Sequence, residues 1–173
     1  MSTYDHLSPL AQKLGAWMAR QCVDGLPAHV DEGLAKAFPG VEAKQIKLAL
    51  AELKADGLVE LSSAINRAMP SVRTTIALFV AADPAITGHD PRKDAVLLAR
   101  MMIENPRLGN VRELEAAADW PRRRFNPAVG LLVPLFPQNR MRTPIQNEYP
   151  VLGFIDGDDE IVSLRRFVQS HTR

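Results

Sequence analysis

The order of helix, turn and strand signals in this chain repeats after about 80 residues, and that repeat constrains the fold more than any other feature. Leu34 recurs as Leu114 and Ala37 as Ala117, while Leu50 and Leu53 recur as Val129 and Leu132 with a one-residue slip. A whole supersecondary plan is hard to duplicate by chance. With 173 residues, the chain is long enough for two small units, each with its own core.

In the first copy Ser8-Pro9 reads as a helix start, a hydroxyl cap followed by proline at the first helical position. Leu10, Leu14, Trp17 and Met18 recur at helical spacing until Asp24-Gly25. A connector at Leu26–His29 leads to a short second helix marked by Leu34, Ala37 and Phe38, which Pro39-Gly40 stops. A third helix begins near Glu42, with Ile46, Ala49, Leu50 and Leu53 on one face and Gly57 at its C-terminal cap. The period then changes. Leu58–Leu61 reads as a strand, Asn66–Ser71 as a loop and Val72–Ala82 as a second, β-branched strand.

Asp83-Pro84 through Asp90-Pro91 reads as a linker, placed at 83–93. A helix expected over Asp94–Glu104 is apolar nearly all round, which points to burial between the halves or in a homodimer. Asn110 with Glu113 resembles a capping box for a short helix through Ala118, and Trp120-Pro121 makes the turn. A third helix follows from about Arg122 to Leu135, then an irregular loop at Phe136–Tyr149. Val151–Ile155 and Ile161–Phe167 flank Asp156-Gly157-Asp158, which reads as a second hairpin.

Helix, helix, tight turn, helix and hairpin, with a Leu-rich third helix ending in Asp-Gly-Leu-Val, resembles the winged helix-turn-helix superfamily over residues 8–82. The expected fold class is mainly α with small β-hairpins (α+β), as two tandem winged helix-turn-helix domains. Their expected bounds are 1–82 and 94–173.

Composition excludes other classes. Hydrophobic residues make up 46% and charged residues 24%, the balance of a globular chain rather than a disordered one. A lone cysteine, Cys22, cannot form an internal disulfide, and Met1–His6 lacks the pattern of a secretory signal. No run approaches the ~18 apolar residues of a membrane span. The expectation is a cytoplasmic protein with no membrane contact.

Enzyme signatures are missing. His6, His29, His89 and His171 are scattered without ligand-spaced partners, and no phosphate loop, dinucleotide fingerprint or nucleophile elbow occurs. Cys22 falls on the first helix, where a buried inert thiol is expected. The acids at 156–160 do not match the spacing of a calcium loop. No enzyme activity, cofactor or metal is expected. Trp17 and Trp120 read as core residues.

The formal net charge is only +1, but charge in the second half is sorted. Residues 120–147 hold five arginines and no acid, and residues 148–160 hold five acids and no base. Arg122, Arg123 and Arg124, then Asn126, open the second copy's third helix. The resemblance implies that this helix enters the major groove with its first residues facing base edges. Arginine's fork suits guanine and asparagine suits adenine. Arg140 and Arg142 would extend the basic surface along a phosphate strand. In the first copy Lys44, Lys47 and Lys54 fall on the exposed side of the third helix, with Glu42 and Glu52 diluting them. Phosphate contact and plain solvation fit those lysines equally.

Two functions follow as expectations. The first is a transcriptional regulator that reads double-stranded DNA through the second copy. The second is a protein-interaction scaffold of tandem winged helices, with the acidic segment 156–160 as a surface for a protein partner. Internal ion pairs on the arginines would favour the second.

Overall fold

A computed structural model describes residues 4–30, 33–62, 69–142, 148–155 and 157–171. The chain forms two compact units, one of Met1–Val23 and Pro27–Gly88, the other of Asp24–Leu26 and His89–Arg173.

In the first unit α1 (Pro9–Gln21) starts where Ser8 accepts a hydrogen bond from the Ala11 amide. One helical turn, α2 (Leu34–Ala37), precedes α3 (Ala43–Ala55). A capping box of Glu42 and Gln45 opens α3. Gly57 closes it at φ +70°, with Leu58 N–H bonding to Leu53 O and Gly57 N–H to Lys54 O, each at 2.9 Å. That pair of bonds satisfies the orphan carbonyls of the last turn and needs the left-handed backbone that glycine supplies. Leu14 and Met18 of α1 and Leu50 and Leu53 of α3 are fully buried together. Strands β1 (Val59–Ser62) and β2 (Ser71–Thr74) pair antiparallel, from Val59 opposite Thr74 to Ser62 opposite Ser71. The connector joins this hairpin, since Val30 N–H bonds to Val72 O and Thr74 N–H to Ala28 O. Thr74 Oγ1 lies 3.4 Å from the buried Cys22 Sγ. Residues 66–68 of the expected loop lie outside the described residues.

The expected strand Val72–Ala82 ends early. From Ile76 to Ile86 the chain is helical, α4. Thr75 Oγ1 donates to the carbonyls of Gly57 and Leu58, fixing the turn from strand to helix. Leu78 and Phe79, three and four residues on, bury completely against α1. Burial of that face overrides the local β preference of the β-branched run. Most of residues 83–93 are therefore helical, because α4 runs through Ile86 and α5 (Pro91–Glu104) begins at Asp90-Pro91.

In the second unit Asp90 caps α5 by accepting from the Arg92 amide. Asn110 caps α6 (Val111–Ala118) in the same way, accepting from Arg112. Next comes α7 (Arg122–Leu132), shorter than expected, with a 3-10 turn at Val133–Leu135. Two apolar faces of α5 lie on α7 and α8 (Asp158–His171), while Leu97 stays exposed. Helix α8 corrects the expected hairpin. Ile161, Leu164 and Val168 recur at helical spacing, and Asp158, Asp159 and Glu160 suit the positive end of a helix dipole. The real hairpin pairs β3 (Met141–Arg142) with β4 (Gly153–Phe154), so part of the expected loop 136–149 is a strand. The described architecture is mainly helical with two small antiparallel hairpins, and each unit runs helix, short helix, helix, hairpin, helix. That repeat extends the sequence pattern by one element. Among the described residues no helix is long and apolar enough to cross a membrane.

Pro127 in α7 has no N–H to give the Arg123 carbonyl, and Gly25 packs there at φ +70°. A Cβ on Gly25 would come within 2.7 Å of Pro127 Cδ and 2.8 Å of Arg123 O. Gly25→Ala is expected to destabilise by about 2 kcal/mol or more, from left-handed strain plus the clash. Urea unfolding followed by circular dichroism checks this, and an unchanged midpoint would refute the close approach.

Candidate nucleic-acid interface

Two of the arginines that open α7, Arg122 and Arg124, are ion-paired within the second unit. Arg124 makes a two-pronged ion pair with Asp94 of α5, at 2.9 Å and 2.6 Å, and its guanidinium stacks 3.9 Å from the centre of the Trp120 ring. The Asp94 side chain is only 5% exposed. Its hydrogen bond raises the Arg124 pKa above the ordinary arginine value. Arg122 reaches Glu115 Oε1 at 3.3 Å and the Tyr149 hydroxyl at 3.3 Å, with Glu148 3.9 Å away. Proximity first to Tyr149 and then to the two carboxylates holds Arg122 more firmly protonated than usual. Tyr149 in turn donates to Glu115 Oε2 at 2.6 Å, and burial together with that bond pushes its phenol pKa up. Arg123 is half-exposed and also has an interaction partner.

Asn126 cannot face a base edge. Its side chain is fully buried, and Nδ2 donates to the Asp24 carbonyl at 2.8 Å and the Glu148 carbonyl at 3.1 Å. The reason is helical: α7 is buried continuously from Phe125 to Gly130, because α5 and the second-unit core enclose it. Arg140 is exposed and lies 3.8 Å from Glu160, a carboxylate that is itself buried at the start of α8. Arg142 is exposed on β3. The expected grouping of Arg122–Arg124 and Asn126 with Arg140 and Arg142 on one open surface therefore fails at Arg124 and Asn126. The acidic hairpin tip fails too. Asp158–Glu160 form the first turn of α8, and Asp156 lies outside the described residues.

The first unit has the open face. Lys44, Lys47 and Lys54 are all exposed on α3, and no ion pair holds them among the described residues. The two acids that dilute them in the sequence do other work. Glu42 caps the helix, and Glu52 Oε2 accepts from the Ser8 amide at 2.9 Å, ahead of α1. Beside the lysines α3 also exposes Leu48, Ala51 and Ala55, with Gln45 and Glu52 on their other side. Leu48 was missed in the sequence reading, although it lies outside the Ile46, Ala49, Leu50 and Leu53 stripe by the same periodicity. Among the described residues no group of three His, Cys, Asp or Glu side chains is placed to hold a metal ion.

Removing Arg124 strands Asp94 in the core. Arg124→Ala is expected to cost about 2–3 kcal/mol, the range for breaking a largely buried pair with some solvent access. Arg142→Ala, on an exposed strand, should shift stability by less than about 0.5 kcal/mol. Chemical denaturation of the two variants separates these values, and equal effects would contradict the pairing.

No family model, curated protein or solved structure matches the chain.

Proposed function

We propose that the chain is a DNA-binding protein of tandem winged-helix design, without enzymatic activity, whose duplex contact is α3 of the first unit. The observation that carries this reading is the solvent face of α3, where three exposed lysines stand on a helix whose carboxylates are engaged by backbone amides. The element order of the first unit supports it, because a short helix and a turn precede α3 and a two-stranded hairpin follows. Such a helix fits the major groove, and the lysines suit phosphates on its walls. A transcriptional role follows from reading duplex sequence and is part of the same proposal. The second unit, with its third helix enclosed, serves as support rather than as the reader.

The alternative is a protein-interaction scaffold. It is favoured by the engagement of Arg122 and Arg124 with Glu115 and Asp94.

Salt titration distinguishes the two. With random duplex DNA, affinity should fall steeply as salt rises, because phosphate binding releases counterions. Lys47→Ala and Lys54→Ala should each flatten the slope of log affinity against log salt by about 0.9, the value for one phosphate contact. Arg142→Ala should leave it unchanged. Fluorescence anisotropy at several salt concentrations measures this. Absence of duplex binding at low salt would transfer the reading to the scaffold.

A further inference from the structure

A groove of about 800 Å³, within the size range of small-molecule sites, lies against α1 in the first unit. From α1 it is lined by Lys13, Ala16, Trp17 and Arg20, whose spacing puts them on one face of the helix. Ala81, Pro84 and Ala85 of α4 are small and leave room beside that face. Trp17, expected in the core, is only half-buried. Its ring meets Phe38 edge-on, with 6.1 Å between ring centres and 78° between planes. Two rings at that angle form a corner, where a third ring can stack on one and meet the edge of the other. The Trp17 indole N–H makes no hydrogen bond among the described residues, so it is open to a ligand acceptor.

The charged groups decide the sign of what the groove takes. Lys13 and Arg20 are exposed about one turn to either side of Trp17, and no carboxylate pairs with either among the described residues. Asp5 is the one acid among the described lining residues, and it already has an interaction partner. Tyr4 adds no negative charge. Its hydroxyl donates to the Gln12 carbonyl at 2.7 Å, and burial pushes its pKa up to about 12 although the Arg20 charge works against that. We propose that this groove binds a small aromatic carboxylate, with its ring in the Trp17–Phe38 corner and its charge facing Lys13 and Arg20. The site goes beyond the DNA-binding reading and does not depend on it.

The test titrates the full chain with naphthalene-2-carboxylate, its uncharged amide and cyclohexanecarboxylate. Calorimetry gives the affinities, and heteronuclear NMR follows the indole signals of the two tryptophans, Trp17 and Trp120. The aromatic carboxylate should bind about fivefold more tightly than the amide, the upper range for an exposed ion pair. It should also bind more tightly than cyclohexanecarboxylate, which cannot stack. Only the Trp17 signal, assigned with Trp17→Phe, should move. Lys13→Ala and Arg20→Ala should each lose part of the preference for carboxylate over amide while binding the amide as the parent does. Both residues are exposed, so both variants should keep the parent's circular dichroism spectrum. Equal affinity of the parent for carboxylate and amide, or a preference that survives in the Lys13→Ala, Arg20→Ala double variant, overturns the anion site. Equal affinity for cyclohexanecarboxylate overturns the aromatic selection. A shift of the Trp120 signal alone, or no binding of naphthalene-2-carboxylate at millimolar concentration, overturns the proposal outright. Duplex binding by α3 stands or falls separately from all of these results.

Discussion

Burial of Ile46, Ala49, Leu50 and Leu53 against α1 sets the rotation of α3 about its own axis, and everything outward on that helix follows from it. A helix with one buried stripe has one free face, and its spacing decides which side chains occupy that face. Turning α3 by one residue would bury Lys47 and Lys54 and expose Ile46 and Leu53, at the combined cost of desolvated ammoniums and lost apolar contacts. The face that carries Lys44, Lys47, Leu48 and Lys54 is thus a consequence of core packing.

The second unit follows the same element order to a different end. Its third helix, α7, is enclosed where α3 is half-open, because α5 packs along it and the Asp24-Gly25 turn lies against Asn126 and Pro127. Enclosure converts the polar residues at the start of α7 into structural parts. Arg124 neutralises a nearly buried Asp94, Arg122 joins Glu115 and Tyr149, and Asn126 holds the Asp24 carbonyl. A duplicated plan has kept its scaffold while the third helices face different surroundings.

Much of the fold was legible because its signals are local. Ser8-Pro9 and Gly57 mark helix ends through the cap and the left-handed backbone that each supplies, and Asp90-Pro91, read as part of a linker, is a cap of the same kind. The strand-to-helix turn at Thr75-Ile76 was not legible, since β-branched residues there suit a strand and only the burial of Leu78 and Phe79 selects the helix. Helix α8 was hidden by Asp156-Gly157-Asp158, a strong hairpin signal that outweighed the helical spacing of Ile161, Leu164 and Val168. The site was harder still. Asp94 precedes its partner Arg124 by 30 residues, so the acid-free run around the arginines described the sequence but not their neighbours in space. Lys44 and Lys47 were placed correctly on a free face; what the spacing alone left open was the engagement of Glu42 and Glu52.

Lysine footprinting tests the central claim most directly. The six lysines, Lys13, Lys36, Lys44, Lys47, Lys54 and Lys93, are acetylated in the free protein and in its complex with duplex DNA, and modification is read by mass spectrometry. If α3 is the contact, duplex should protect Lys44, Lys47 and Lys54 together while Lys93 on α5 stays as reactive as in the free protein. Protection confined to other lysines, or none on α3 in a saturated complex, would contradict the account.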